Sequence, residues 1–204
     1  AGNRNHKEIK LCQKRAESIK MMKSKAVFVD RDGVINKVMY HDDKGIYSAM
    51  NVNELEFLPK AKEAIEILKE CGYLVIVASN QPGVAYGYIK NKDLNEINRK
   101  ILKSLKVNSI YNCTHHPEFT GSCNCRKPKP GMFKQAIKRF KIDIRQSYVV
   151  GDNINDIKVN LPFKGRFLIG AKRNDLFNLL AEENIKPEIV KNLYEAALMI
   201  KKGT

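Results

Sequence analysis

The sequence predicts an α/β fold, a parallel β-sheet with helices on both faces. Three observations lead there. Short apolar runs containing β-branched residues recur along the chain, as strands buried on both faces require. Segments with apolar residues at helical spacing lie between them, the pattern of βαβ units. The polar clusters fall directly after the apolar runs, where ligands of such sheets bind. The 204 residues, 43% of them hydrophobic, suffice for one domain with a full core.

Residues 1–23 are basic and only weakly periodic. They read as an N-terminal extension or an expression remnant, with residues 24–204 as a single domain. Ala26–Val29 is the first strand and ends at Asp30-Arg31-Asp32-Gly33. A loop-rich stretch follows, including His41–Gly45. Pro59 opens a helix whose Ala61, Ala64, Ile65, Ile67 and Leu68 share one face; Cys71-Gly72 closes it. Tyr73–Ala78 is a second strand, stopped by Ser79-Asn80-Gln81-Pro82-Gly83. A helix is expected over 92–105, with Leu94, Ile97, Ile101, Leu102 and Leu105 apolar. Ser109–Tyr111 is a third strand, followed by a cysteine-rich loop and a helix over 131–140. Tyr148–Val150 and Arg166–Ile169 are the fourth and fifth strands, and helices are expected over 174–182 and 192–202. No repeat, low-complexity tract or linker defines a second domain.

Composition narrows the function. No apolar run approaches the roughly 18–20 residues that span a bilayer, and no signal-peptide core is present, so a cytoplasmic location is expected. Net charge is +15, from 37 Lys+Arg against 22 Asp+Glu. Such charge suits nucleic-acid binding, an anionic substrate, or lysine written on every exposed face. The lysines are spread out, without an Arg-rich arm or an aromatic-basic repeat, so a nucleic-acid partner is not expected.

The chemistry concentrates at the strand ends. Asp30 and Asp32 lie two apart after the first strand, and Gly33 permits a sharp turn there. Gly151-Asp152-Asn153-Ile154-Asn155-Asp156 brings a third carboxylate from another strand end. Adjacent carboxylates are costly unless a cation neutralises them, and Asp30, Asp32 and Asp152 together suit Mg²⁺. A carboxylate nucleophile divides the slow hydrolysis of a phosphate monoester into two steps. Asp30 would attack phosphorus. Asp32 would protonate the leaving alcohol and then activate water. Ser79 and nearby backbone N–H groups would hold phosphoryl oxygens, and a lysine of Arg126-Lys127-Pro128-Lys129 would add positive charge. Arg31, Asn80, Gln81 and Arg126 are the candidate substrate-binding residues. Arg126, on the opposite side of an extended loop from Lys127, would bind the rest of the substrate through its two-pronged guanidinium.

Three of the five cysteines cluster; Cys12 and Cys71 stand alone. Cys113, His115, Cys123 and Cys125 make a three-thiolate, one-imidazole set for a closed, structural Zn²⁺ site. His116 is a competing ligand, whereas His6 and His41 lack metal-spaced partners. The zinc would stiffen the loop carrying Arg126 and Lys127.

The ordered set of D-R-D-G-V-I-N, Ser79, Lys127 and Asp152 with Asp156 resembles the haloacid dehalogenase superfamily over about residues 25–170. The resemblance implies a Rossmann-like fold, Asp30 as nucleophile and Asp32 as acid/base. It implies Mg²⁺ on Asp30, the Asp32 carbonyl and Asp152. C-x-H…C-x-C-R-K-P resembles a narrower group, the heptose bisphosphate and histidinol phosphatases. That resemblance implies His115 as the zinc histidine, a minimal cap and a small phosphorylated sugar as substrate. Asn36, the G-V-A-x-G stretch and Pro130-Gly131-Met132 favour the heptose side, with the 7-phosphate removed for nucleotide-activated heptose and surface polysaccharide synthesis. Tyr86 stands where this group leads one to expect Arg, and Asn153 where one expects Lys; the Asn36–Phe57 segment is longer than usual. The alternatives are a histidinol-phosphate phosphatase, a nucleic-acid 3′-phosphatase and a non-catalytic zinc module for nucleic acid. The intact carboxylate set speaks against the last, because binding alone needs no nucleophile. A monomer is expected.

Overall fold

The structure, a computed structural model, describes residues 23–41, 45–170 and 185–203. Strand β1 (Lys25–Val29) is central. It pairs in parallel with β4 (Tyr73–Asn80) on one side and β6 (Tyr148–Gly151) on the other. Strands β5 (Ser109–Cys113), β7 (Gly165–Ile169) and β8 (Glu188–Val190) extend the sheet to the order β5-β4-β1-β6-β7-β8, all parallel. A separate antiparallel hairpin joins β2 (Met39–His41) and β3 (Gly45–Tyr47).

Strand alternation explains why these strands read as continuous apolar runs. In β1 and β4, Val27, Val29, Val75 and Val77 face one core; Ala26, Phe28, Ile76 and Ala78 face the other. The first core is covered by α1 (Ala61–Glu70), α2 (Asn91–Leu105) and α6 (Leu193–Lys202), through Ile65, Leu68, Ile97, Ile101 and Ala196. The second is covered by α4 (Gly131–Phe140) through Met132, Phe133 and Ala136. Phe28 packs there against Phe133 and Phe163, with ring centroids 5.0 and 5.9 Å away. Each such fully buried side chain contributes roughly 1.5–3 kcal/mol of transfer free energy, as an upper bound.

The expected strands and helices are present with small shifts. Strand β4 runs two residues beyond the expected stop, so Ser79 and Asn80 belong to the strand and pair with Asn112 and Cys113 of β5. Leu102, expected on the apolar face of α2, is partly exposed. Elements not anticipated are the β2–β3 hairpin, β8, and the one-turn helices α3 (Pro117–Thr120) and α5 (Ile154–Ile157). The helix expected over 174–182, most of the basic N-terminal stretch, Cys12 and His6 lie outside the described residues. No helix among the described residues is long and apolar enough to cross a membrane.

Candidate active site

Four strand ends converge. Asp30 follows β1, and its N–H donates to Val150 O at 3.0 Å. Asp152 follows β6, one residue after Gly151. Gly33 sits at φ +79°, and a Cβ there would meet Asp152 Oδ2 at 2.0 Å. Only glycine lets these two loops approach so closely. Carboxylate oxygens of Asp30, Asp152 and Asp156 lie within 4.8 Å of one another.

Lys127 reaches this cluster from the cysteine loop and is almost fully buried. Its Nζ donates to Asp30 Oδ1 at 2.6 Å, Asp156 Oδ1 at 2.7 Å and Ala78 O at 2.6 Å, which uses all three ammonium donors. Burial would lower its pKa, but Asp30 and then Asp156 hold the ammonium above the usual lysine range. Asn80 clamps the Lys127 main chain: Lys127 N–H donates to Asn80 Oδ1 at 3.0 Å, and Asn80 Nδ2 donates to Lys127 O at 3.2 Å.

The two leading aspartates sit in opposite environments. Desolvation pushes Asp30 up to about 7; Lys127 opposes this, while Asp156 and Asp32 add to it. For Asp32 desolvation also acts upward, but Arg31 and then hydrogen bonds from Asn36, Gln81 and Ser48 hold it below the usual range. Those donors lie at 2.9 Å (Asn36 Nδ2), 2.6 Å (Gln81 Nε2) and 2.9 Å (Ser48 Oγ). Desolvation and the Asp156 charge push Asp152 up to about 6. Its side chain is open to water. Three crowded carboxylates with one shared ammonium have the charge and oxygen donors for a divalent cation.

Several expected residues take different positions from those anticipated. Arg31, expected to bind substrate, is fully buried, with Nη2 on Gln81 Oε1 at 2.7 Å and Nε on Asp32 Oδ2 at 3.2 Å. It does not line the cavity. Ser79 is also buried and accepts from Gln81 Nε2 at 2.8 Å. Gln81 lines the cavity, yet it chiefly bridges Asp32, Ser79 and Arg31. Sequence reasoning left Ser48 out of the site and named Asp156 in the motif with Asp152 without giving it a role. Ser48 is a lone hydroxyl in a long loop, without a sequence signal. Asp156 carried one, as the second carboxylate of G-D-x-x-x-D.

Cys113, His115, Cys123 and Cys125 form a second cluster, their ligand atoms within 4.8 Å of one another. The sulfur–sulfur distances are 3.1, 3.4 and 3.6 Å, and His115 Nδ1 lies 3.3 Å from Cys125 Sγ. A tetrahedron with metal–sulfur bonds of about 2.3 Å has edges of about 3.8 Å, so this set fits Zn²⁺ with modest contraction. His116 is outside the cluster; its Nδ1 accepts from Glu118 N, and its ring packs on Tyr86. The cysteine loop is tied to the site twice. Gln81 N–H donates to Cys113 O at 2.7 Å, and Gly131 N–H, at the start of α4, donates to Asn124 O at 2.9 Å. A Cβ on Gly131 would meet that oxygen at 2.2 Å.

A cavity of about 390 Å³ opens over Asp30, Asp32, Lys127 and Asp152. Arg126 lines its rim, with Nη1 donating to His115 O at 3.3 Å. The hairpin segment contributes Val38, Tyr47 and Ser48 to the opposite side.

The family model for haloacid dehalogenase-like hydrolases matches residues 36–159. The Haemophilus ducreyi D-glycero-beta-D-manno-heptose-1,7-bisphosphate 7-phosphatase is 38% identical over 146 residues, covering 67% of this chain and 76% of the relative. The Campylobacter jejuni D-glycero-alpha-D-manno-heptose-1,7-bisphosphate 7-phosphatase is 37% identical over 145 residues, covering 69% and 78%. Among solved structures, the D,D-heptose 1,7-bisphosphate phosphatase of B. bronchiseptica, complexed with magnesium and phosphate, superimposes with a TM-score of 0.72 at 26% identity, covering 88% of this chain and 99% of that one. With a parallel sheet that gathers its carboxylates at the strand ends, this chain belongs to the haloacid dehalogenase-like hydrolases.

Proposed function

We propose that residues 24–204 form one phosphatase domain that removes the 7-phosphate of D-glycero-D-manno-heptose 1,7-bisphosphate, through an aspartyl-phosphate on Asp30. The observation that carries this reading is the pairing of Asp30 with buried Lys127 at 2.6 Å beneath an open cavity. A carboxylate held against a fixed ammonium is oriented for attack, and nothing in the fold alone requires it there. The relatives' names supply the substrate.

Asp30 and Asp152 would hold Mg²⁺, which supplies charge neutralisation for the incoming phosphate dianion. Lys127 favours the ionised form of Asp30 against desolvation and aims its carboxylate. Asp32 rests as a carboxylate, gripped by Arg31, Asn36, Ser48 and Gln81. An arriving phosphate dianion raises its proton affinity, so that Asp32 can pass a proton to the leaving oxygen and later take one from water. Arg31 and Ser79 act through Asp32 and Gln81 and do not touch the substrate. Arg126, at the rim, takes the part of the substrate that is not transferred. Cys113, His115, Cys123 and Cys125 would hold Zn²⁺, which would fix the loop from which Arg126 and Lys127 project.

The test combines a variant with a substrate panel. Asp30→Asn abolishes turnover, because a neutral amide is a poor nucleophile, and beryllium fluoride bonds to Asp30 in the unsubstituted protein. The panel compares kcat/KM for both heptose bisphosphate anomers, histidinol phosphate and a 3′-phosphorylated oligonucleotide. Unchanged turnover in Asp30→Asn sinks the covalent route. Preference for histidinol phosphate or the oligonucleotide sinks the substrate.

A further inference from the structure

The cavity has two chemically distinct sides. Its floor is the carboxylate–lysine cluster. Its wall on the cysteine-loop side is aromatic: Tyr86 and Tyr88 both line the cavity. Tyr86 is the hub of a four-ring group. Its ring centroid lies 5.4 Å from Tyr88, 4.9 Å from His116 and 5.0 Å from Phe119, the last in edge-to-face geometry at 88°. His116 and Phe119 belong to α3 and its cap, so the wall joins the loop after β4 to the metal loop. Tyr88 and Phe119 remain 53% and 61% exposed, far more than rings placed only for packing.

Cations are scarce on the same surface. The lining lysine, Lys127, has spent its three donors on the protein. Arg126 is the other lining cation among the described residues. The aromatic wall therefore offers π-faces and little charge. Aromatic faces carry a negative quadrupole and attract C–H-rich surfaces, while a phosphate is repelled.

We propose that Tyr86, supported by Tyr88, is a specificity-determining stacking surface for the carbon-rich face of a sugar ring in the leaving group. The substrate class is a phosphate monoester of a cyclic sugar, with ring recognition by Tyr86 separate from any second phosphate at Arg126. This rests on the reading of the site as a sugar-phosphate phosphatase and adds how the ring is recognised.

The test measures kcat and KM for Tyr86→Ala and Tyr86→Phe on four compounds. They are heptose 1,7-bisphosphate, the same heptose 7-phosphate, mannose 6-phosphate and glycerol 3-phosphate. The same compounds are titrated calorimetrically into Asp30→Asn protein with and without Tyr86→Ala, which reads binding without turnover. Tyr86→Ala lowers the preference for cyclic over acyclic compounds about 3- to 10-fold, chiefly through KM, and Tyr86→Phe restores it. The loss is the same for the heptose bisphosphate and monophosphate. An equal loss on glycerol 3-phosphate, or a loss confined to the bisphosphate, overturns the proposal. Failure of Tyr86→Phe to restore the preference overturns it as well. If the heptose compounds neither turn over nor bind while mannose 6-phosphate does so in a Tyr86-dependent way, the stacking surface stands and the heptose assignment falls.

Discussion

Replacing Lys127 by Met keeps most of the side-chain volume and removes the charge between Asp30 and Asp156. In the native arrangement one ammonium sits 2.6 Å from the first carboxylate and 2.7 Å from the second. Without it, two carboxylates whose ligand atoms lie within 4.8 Å of each other face one another unscreened. At that separation two unit charges repel by at most about 3.5 kcal/mol for an effective dielectric of about 20, an upper bound because Asp30, at about 7 even beside Lys127, relieves part of it by taking up a proton. The Ala78 carbonyl also loses its donor. Removing one partner of a buried ion pair costs about 3–5 kcal/mol, the same range. The assay is urea denaturation at pH 7 with a chelator present. Lys127→Met should lose about that much, and Lys127→Met/Asp156→Asn should be more stable than the single variant, because it removes one of the stranded charges. Added Mg²⁺ should recover part of the loss. A loss below about 1 kcal/mol, or a double variant no better than the single, refutes the view that Lys127 serves chiefly as the counter-charge of this pair.

Three further outcomes are expected. Purified protein should carry about one Zn²⁺ per chain by elemental analysis, the capacity of one closed four-ligand site; Cys123→Ala should lose both the metal and thermal stability, and a stable, active, metal-free protein contradicts the site. In chelator, Asp30 at about 7 and Asp152 at about 6 hold protons that the unfolded chain has already released, so their contribution to stability falls as pH rises from about 4 toward 7; Asp32, depressed, contributes in the opposite sense. Mg²⁺ competes with those protons for the carboxylates, so its thermal shift should grow between pH 5 and 8, and a pH-independent shift rejects Asp30 and Asp152 as ligands. Arg126→Ala should cost roughly ten- to 150-fold in kcat/KM for the heptose bisphosphate, the value of one charge-assisted hydrogen bond, and far less for p-nitrophenyl phosphate; equal losses would put Arg126 beside the reacting phosphoryl.

The central sheet was legible because β1 and β4 bury both faces and so contain almost nothing but apolar residues. The hairpin and β8 were not, since three-residue strands such as Glu188–Val190 carry too few positions to display a period. The convergence of Cys113, His115, Cys123 and Cys125 was legible from their spacing. Arg31 shows where motif reading failed. Sequence places it between two aspartates and suggests a residue facing the ligand. The chain bends at Arg31, however, and its guanidinium folds back inside the protein onto Asp32 and Gln81. Ser79 lies at the end of β4, which continues through Asn80, and its hydroxyl accepts from Gln81 above it.

The opposed environments of Asp30 and Asp32 bear on when the site can act. By protonation alone the roles would be exchanged: Asp30, at about 7, holds a proton readily, whereas Asp32 is kept ionised by Arg31 and three hydrogen-bond donors. A nucleophile must be bare and an acid must carry a proton, so the resting site is set for neither task. Two binding events reverse this. A cation beside Asp30 and Asp152 favours the ionised nucleophile, and a phosphate dianion beside Asp32 favours its protonated form. The cation would act on Asp30 and Asp152 and the phosphate on Asp32, and the side chains of Asp30 and Asp32 are already held by Lys127 and Gln81. Protonation set by the ligands themselves would then commit the site, since Asp32 is otherwise held by Asn36, Ser48 and Gln81.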